Sequence, residues 1–318
     1  MQLTKRDLKL CLKKRLKRQN NTFMSENVLE NHSLCHFCQV CDGQGCVGEM
    51  PGMGGAFASA NFIANCADWK RYQPSSDTLP LIRLAPITGA VENIGWHDEK
   101  SFYFALLGAA AAAGIRLSIG DGTPDEKLQA GIEALRALKK KAAVFIKPYP
   151  QKIFFERLEW AEETAEICGS DIDSYNIVTM RKLVHLERKT PAQLLEIKKR
   201  VKVPFAIKGV FTPEDLDIIK EVKPDIAVIS NHGGRVETRQ GSTASFLAEH
   251  ATFLRKFCGE LWVDGGLRTQ SDLLVAHSLG ASTVMIGRPF ITALLQNGQE
   301  GVARVVQNFL SDGKTQSQ

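Results

Sequence analysis

From Asp77 to the C-terminal region the chain repeats one pattern eight times: a short apolar segment, then an amphipathic stretch of ten to twenty residues. Runs that are apolar on both sides suit strands buried on both faces, and their alternation with helical periodicity calls for parallel βαβ units. We expect strands near Leu81–Ala85, Ile115–Ser118, Ala142–Ile146, Ile167–Ile172, Phe205–Lys208, Ile226–Ile229, Leu261–Val263 and Thr283–Ile286. Helices are expected near Ser101–Ala113, Pro124–Lys140, Lys152–Glu166, Pro191–Arg200, Pro213–Glu221, Thr243–Phe257 and Gln270–Leu279, with a last one from Phe290 towards Leu310. Thr190-Pro191 and Thr212-Pro213 are helix starts, a capping hydroxyl before a first-turn proline. Eight such units make an α/β fold of the TIM (β/α)8 barrel type. No Pro-, Gly- or Ser-rich linker divides them, so residues 77–318 read as one barrel and residues 1–76 as an N-terminal helical and Cys-rich extension.

Charge is unevenly placed. The chain carries +5, but Met1–Arg18 alone holds eight Lys/Arg against Asp7, which is +7 and leaves the rest near −2. The body therefore has no field to gather nucleic acid. Leu3, Leu8, Leu12 and Leu16 place the basic stretch on an amphipathic helix, solvated on one face or docked to an acidic surface. No apolar run reaches the roughly 20 residues that span a bilayer, and no apolar core follows the basic start, so a cytoplasmic protein is expected.

Four of the eight cysteines fall within Cys35–Gly55, as Cys35, Cys38, Cys41 and Cys46. In a reducing compartment such clustering suggests metal or redox chemistry rather than disulfides. An iron–sulfur cluster and zinc both accept four thiolates. Reduced thiols packed against the barrel mouth account for the spacing equally well.

In a barrel of this type chemistry sits at the carboxyl ends of the strands. Those ends hold Pro86–Gly89, Ser118–Gly122, Lys147–Tyr149, Asp171–Asp173, Lys208, Ser230–Arg235, Asp264–Arg268 and Gly287–Arg288. The sixth end, Ile226–Arg235, runs from a buried strand into Ser-Asn-His-Gly-Gly-Arg. It thereby delivers an imidazole and a guanidinium through two glycines. The last two ends read as a phosphate site. Gly265, Gly266 and Gly287 would let backbone N–H groups approach an anion, and Arg268 and Arg288 would add charge-assisted bonds. Nothing resembles the GxGxxG of dinucleotide folds, so a dinucleotide such as FAD or NAD is not expected.

The run PFAIKGVFTPEDL, ISNHGGR and VDGGLRTQSDLLVAHSLGASTVMIGRPF resembles the carboxyl half of the FMN-dependent α-hydroxy acid oxidase and dehydrogenase family, which includes glycolate and lactate oxidases. The likeness is dense over Pro204–Phe290, thinner from Pro80, and absent before that. The PGMGG segment with its cysteines is similar to a bacterial subgroup of flavin proteins. The resemblance implies bound FMN, lined by Pro86, Ile87, Thr88 and Ser118, with Ser230 and Asp264 also at the cofactor. It implies Lys208 against the N1–O2 edge of the flavin, His232 as base, Asp173 orienting that His, Arg235 clamping the substrate carboxylate and Tyr149 facing the substrate. Lys147 stands where the family usually has Gln, and Asp171 where it usually has Thr. Three further departures concern the substrate. The family's second substrate Tyr has no counterpart, Thr238 replaces an Asp, and the connection after strand four is short.

The residue types suit oxidation of a small 2-hydroxy acid (lactate- or glycolate-like) to the 2-oxo acid. His takes a proton near neutral pH, Arg grips a planar carboxylate, and flavin takes the electrons. Two other readings stand beside it: a non-catalytic flavin or electron-relay protein with a Cys-bound metal, and a flavoenzyme like type 2 isopentenyl-diphosphate isomerase. The His of HGGR argues against the second. A homo-oligomer is expected.

Overall fold

The computed structural model describes residues 59–94, 96–177, 184–236 and 238–311. The stretch expected to form a basic helix, the four clustered cysteines and the residues from 312 onward lie outside the described residues. Eight parallel strands, β1 (Leu81–Leu84), β2 (Ser118–Gly120), β3 (Ala142–Ile146), β4 (Ala165–Asp171), β5 (Phe205–Val210), β6 (Ile226–Ile229), β7 (Glu260–Asp264) and β8 (Thr283–Ile286), form one sheet. Its order, β1-β8-β7-β6-β5-β4-β3-β2, is that of a barrel. A single bridge between Arg83 and Arg116 closes β1 onto the approach to β2.

The expected elements are all present, with shifted edges. β2 starts at Ser118, where the expected strand ended. The helix after β3 stops at Ala161, which frees Ala165 and Glu166 for β4. The apolar run 115–119 is buried along its whole length apart from Arg116, so periodicity alone could not locate the paired segment.

Side chains alternate along the strands. Ala143, Phe145, Ile167, Ala206, Ile226, Val228, Trp262 and Met285 fill the barrel interior, while their neighbours pack outward on the helices. A Cβ on Gly169 would lie 2.5 Å from the Phe145 ring, so a bare backbone on β4 makes room for that plug. Arg83 also enters the interior, bonded to the Leu117 carbonyl at 2.6 Å, 2.8 Å from Glu166 and stacked 5.0 Å from the Trp262 ring.

Around the sheet run α2 (Ala90–Ile94), α3 (Glu99–Ala112), α4 (Glu126–Leu138), α5 (Gln151–Ala161), α6 (Pro191–Arg200), α7 (Pro213–Val222), α8 (Thr243–Leu254), α9 (Gln270–Ser278) and α10 (Arg288–Leu310). The last of these is broken at Asn297–Gly298. Thr190 and Thr212 close capping boxes as expected, and Gly280 follows the end of α9 with φ +109. No helix among the described residues is long and apolar enough to cross a membrane.

The expected boundary at residue 77 divides what the structure joins. An unforeseen helix, α1 (Ala60–Ala67), and a 3-10 turn, Asp68–Arg71, lie on the loops after β6 and β7. Asn65 and Asn231 exchange amide hydrogen bonds of 2.8 and 3.1 Å, Asn61 donates to the Val236 carbonyl, and Trp69 donates to the Gly265 carbonyl. Such buried polar contacts fix orientation, because each group left unpaired costs about 1–3 kcal/mol.

Candidate active site

The register of the sheet builds the centre of the site. β4 and β5 pair Asp171 directly with Lys208, so a carboxylate and an ammonium emerge side by side at the carboxyl end of the barrel. Lys208 Nζ lies 3.1 Å from Asp171 Oδ1 and 3.6 Å from Asp264 Oδ2. Lys147, at the end of β3, brings its Nζ to 4.0 Å from Asp171 Oδ2. All four residues are buried. Burial opposes the Lys208 charge, but Asp171 and Asp264 outweigh it and hold its pKa above the ordinary lysine value. For Lys147 burial prevails and pulls the pKa down; for Asp264 burial prevails and pushes it up.

His232 enters from the turn after β6. That turn is a 3-10 segment, His232–Gly234, in which His232 itself adopts φ +55. A side-chain-bearing residue there carries strain of roughly 1–3 kcal/mol and needs its surroundings to hold it. Asn231 Oδ1 accepts from Gly234 N at 2.9 Å. His232 N–H donates to Ser230 Oγ at 3.2 Å, whose hydroxyl donates to Asp264 at 2.8 Å. The imidazole is thereby set between two carboxylates. Nδ1 is 2.9 Å from both oxygens of Asp173, and Nε2 is 3.2 Å from Asp171 Oδ2. With an acceptor on each nitrogen the ring is assigned as imidazolium. Burial opposes that charge; Asp171 first and Asp173 second overcome it and raise the histidine pKa. Asp171 in turn is held well below the usual carboxylate range, since His232 and Lys208 outweigh its desolvation.

Gly209, unremarked in the sequence, is what admits Asp173. Its φ is +99, and a Cβ there would sit 2.5 Å from the Asp173 carboxyl group. Behind Asp173 a cavity of about 450 Å³ opens between the loops after β4, β5 and β6. Arg235 follows His232 on the same turn, partly buried.

Several expected residues sit otherwise than the sequence suggested. Tyr149 is 1% exposed, its hydroxyl bonded to the Gly122 carbonyl at 3.2 Å and to Thr123 at 3.1 Å, with Arg157 stacked 4.3 Å from its ring. It lies beneath the loop after β2 rather than at the open mouth, and burial pushes its pKa up to about 12. Arg157 also pairs with buried Asp121 at 2.7 Å, a contact the strand-end reading missed because Arg157 lies within a helix. Gly265 and Gly266 are bare for α1: a Cβ on Gly266 would lie 1.8 Å from the Asn65 carbonyl oxygen. Arg288 donates to the Gly233 carbonyl at 3.2 Å and stacks 4.1 Å from the Phe62 ring, while Arg268 reaches Cys66 Sγ at 3.8 Å. Both arginines thus meet side chains of α1.

The family model for FMN-dependent dehydrogenase matches residues 128–316, more than half of the chain and all strands from β3 onward. The chain belongs to the FMN-dependent dehydrogenase family. Among curated relatives it is 39% identical over 116 residues to L-lactate dehydrogenase (cytochrome) of Saccharomyces cerevisiae, covering 35% of this chain and 20% of that protein. It is 35% identical over 121 residues to L-lactate oxidase of Lysinibacillus sphaericus, covering 37% of this chain and 31% of that one. The matched stretch is thus a fifth to a third of those relatives' length. A solved structure of mandelate oxidase with benzoyl-formic acid superposes with TM-score 0.64 at 21% identity, over 83% of this chain and 88% of the other, and shares the barrel fold.

The residues present fit FMN, the cofactor for which the family is named. Asp264 Oδ1, at the carboxyl end of β7, is buried with no protein hydrogen-bond partner, as a polar heterocycle laid across the mouth would require; the Ser118 hydroxyl, also without a partner, lies at the start of β2, deeper in the barrel. Pro86, Ile87 and Thr88 leave the end of β1 partly exposed on the same rim. At Gly287 a Cβ would meet protein atoms only from 3.5 Å outward, so the protein itself does not explain that glycine.

Proposed function

We propose that the chain oxidises a small 2-hydroxy acid to the corresponding 2-oxo acid. The observation that carries this reading is the Asp173–His232 pair, 2.9 Å apart, beside the buried Lys208 ammonium and followed on its own turn by Arg235. Arg235 would take the substrate carboxylate in its planar fork and so fix the carbon bearing the hydroxyl. His232 Nε2 would accept the hydroxyl proton, and Asp173, already on Nδ1, would stabilise the imidazolium that results. Lys208 would hold positive charge at the polar edge of the cofactor, within a set that also contains Pro86, Ile87, Thr88, Ser118, Lys147, Asp171, Ser230, Asp264 and the Gly–Arg ends of β7 and β8. FMN, when bound, supplies the acceptor for the two electrons. The curated lactate and 2-hydroxyacid enzymes support the substrate class, and a cytoplasmic homo-oligomer belongs to the same reading.

The test is anaerobic mixing of the FMN-loaded protein with a series of small 2-hydroxy acids while the flavin absorbance is followed. Bleaching by at least one acid is expected, abolished in His232→Ala with flavin still bound. A spectrum unchanged by every acid of the series overturns the reading.

A further inference from the structure

His232 Nδ1 is committed to Asp173, so proton traffic with a substrate must pass through Nε2, and in this structure Asp171 Oδ2 stands on that nitrogen at 3.2 Å. The same oxygen is 4.0 Å from Lys147 Nζ, while its partner oxygen is held by Lys208 at 3.1 Å. The carboxylate therefore has two cationic neighbours besides the imidazole, and the oxygen that faces His232 is also the one nearest Lys147. We propose that Asp171 is a positioning residue that keeps His232 protonated and its outward nitrogen covered in the resting site, so that the imidazole becomes a base only when Asp171 turns away. The proposal rests on the oxidase reading for its use, but not for its measurement.

The groups facing the imidazole come from every neighbouring strand: Lys147 from β3, Asp171 and Asp173 from β4 and its following turn, Lys208 from β5, and Asp264 from β7 through Ser230. Within this set, three carboxylates against two lysines leave one negative charge, which an imidazolium balances; Arg288, beside the same turn, is directed to the Gly233 carbonyl and the Phe62 ring. A divalent cation held by Asp171, Asp173 and His232, whose ligand atoms lie within 4.8 Å of one another, would have to displace Lys208 and deprotonate the ring. Protonation is the simpler way to neutralise the cluster. When Asp171 turns to Lys147, the ring loses one of its two anionic partners and gives its proton to solvent, and Nε2 is then free to accept the substrate's hydroxyl proton. The balance is one proton out and one proton in.

The experiment titrates the histidines of the cofactor-free protein by NMR of ¹³C-labelled imidazoles, with the His232 signal assigned by its loss in His232→Ala. In the wild type His232 is expected to titrate above the ordinary histidine value of about 6.5. In Asp171→Asn and Asp171→Thr its midpoint falls by at least one pH unit, a tenfold loss of proton affinity, whereas Asp171→Glu retains most of the elevation. The rising limb of flavin reduction against pH moves to lower pH in step. A wild-type midpoint at or below the ordinary value overturns the proposal, as does an Asp171→Asn midpoint equal to that of the wild type. Should the Asn variant not fold, the Thr variant and the wild-type midpoint decide it. If no 2-hydroxy acid bleaches the flavin while His232 titrates as stated, the oxidase reading falls and the role of Asp171 stands.

Discussion

Two carboxylates hold His232, and at the scale of single residues they do different work. Asp173 takes Nδ1 with both oxygens from a position that Gly209 alone makes accessible, so it fixes the ring plane whatever the substrate does. Asp173→Asn keeps the shape but offers the ring a neutral amide, and kcat/KM for the 2-hydroxy acid is expected to fall by about 10²–10⁴-fold with FMN retained. Stopped-flow reduction beside a flavin-retention assay separates the two effects. Because the histidine pKa is raised, the imidazole base is populated only above that value, and activity should climb with pH through a limb more alkaline than a free histidine would give. Lys208 is the cation on which the cluster depends. Lys208→Met leaves Asp171 and Asp264 buried without their nearest ammonium, and loss of one partner from a buried ion pair costs about 3–5 kcal/mol. Urea unfolding of the cofactor-free protein measures it; a change under 1 kcal/mol would show that Lys147 and His232 suffice.

At the scale of elements the glycines divide by what they face. Gly266 has φ +77 and carries its hydrogen towards the backbone of α1, so Gly266→Ala must both strain its own backbone and push α1 off the β7 loop. We expect a loss of more than about 2 kcal/mol, read by urea unfolding, with weaker FMN retention because α1 also carries the Phe62 stacked on Arg288. Gly108, inside α3 with nothing within 4 Å of its Cβ direction, is the opposite case. Gly108→Ala should stabilise by about 0.5–1 kcal/mol, since only the entropy of the unfolded chain changes. The sequence could not show that Gly265 and Gly266 face a helix, because a glycine at a strand end looks alike whether a flavin or a helix lies opposite. α1 itself escaped notice for a related reason. ANFIANCA lacks the charged face that marks a surface helix, because its asparagines are spent on the segment after β6 rather than on water. Helices begun by Thr-Pro were plain from the sequence, since their caps are local and need no partner from elsewhere.

For the whole molecule, the barrel could be read from the chain because each strand is buried on both faces and each helix on one, a contrast that periodicity records. The identity of the strand-end residues was visible for the same reason, but their distances were not. The Asp171–His232 contact joins β4 to the turn after β6 across the mouth, and no spacing along the chain encodes it. That contact makes the stability of the fold depend on pH in two directions. Asp171 has a depressed pKa, so its contribution is complete above the unfolded value of about 3.9 and is lost as pH falls through the lower folded value. His232 has a raised pKa, so its contribution is complete below about 6.5 and is lost as pH rises through the higher folded value. Both hold together between about pH 4 and 6.5. Urea midpoints measured from pH 3 to 9 should therefore separate the wild type from Asp171→Asn most widely in that window and converge towards each end. A separation that stays constant across the range would mean that Asp171 acts through packing alone, and that the charge of the pair contributes nothing to holding the barrel mouth together.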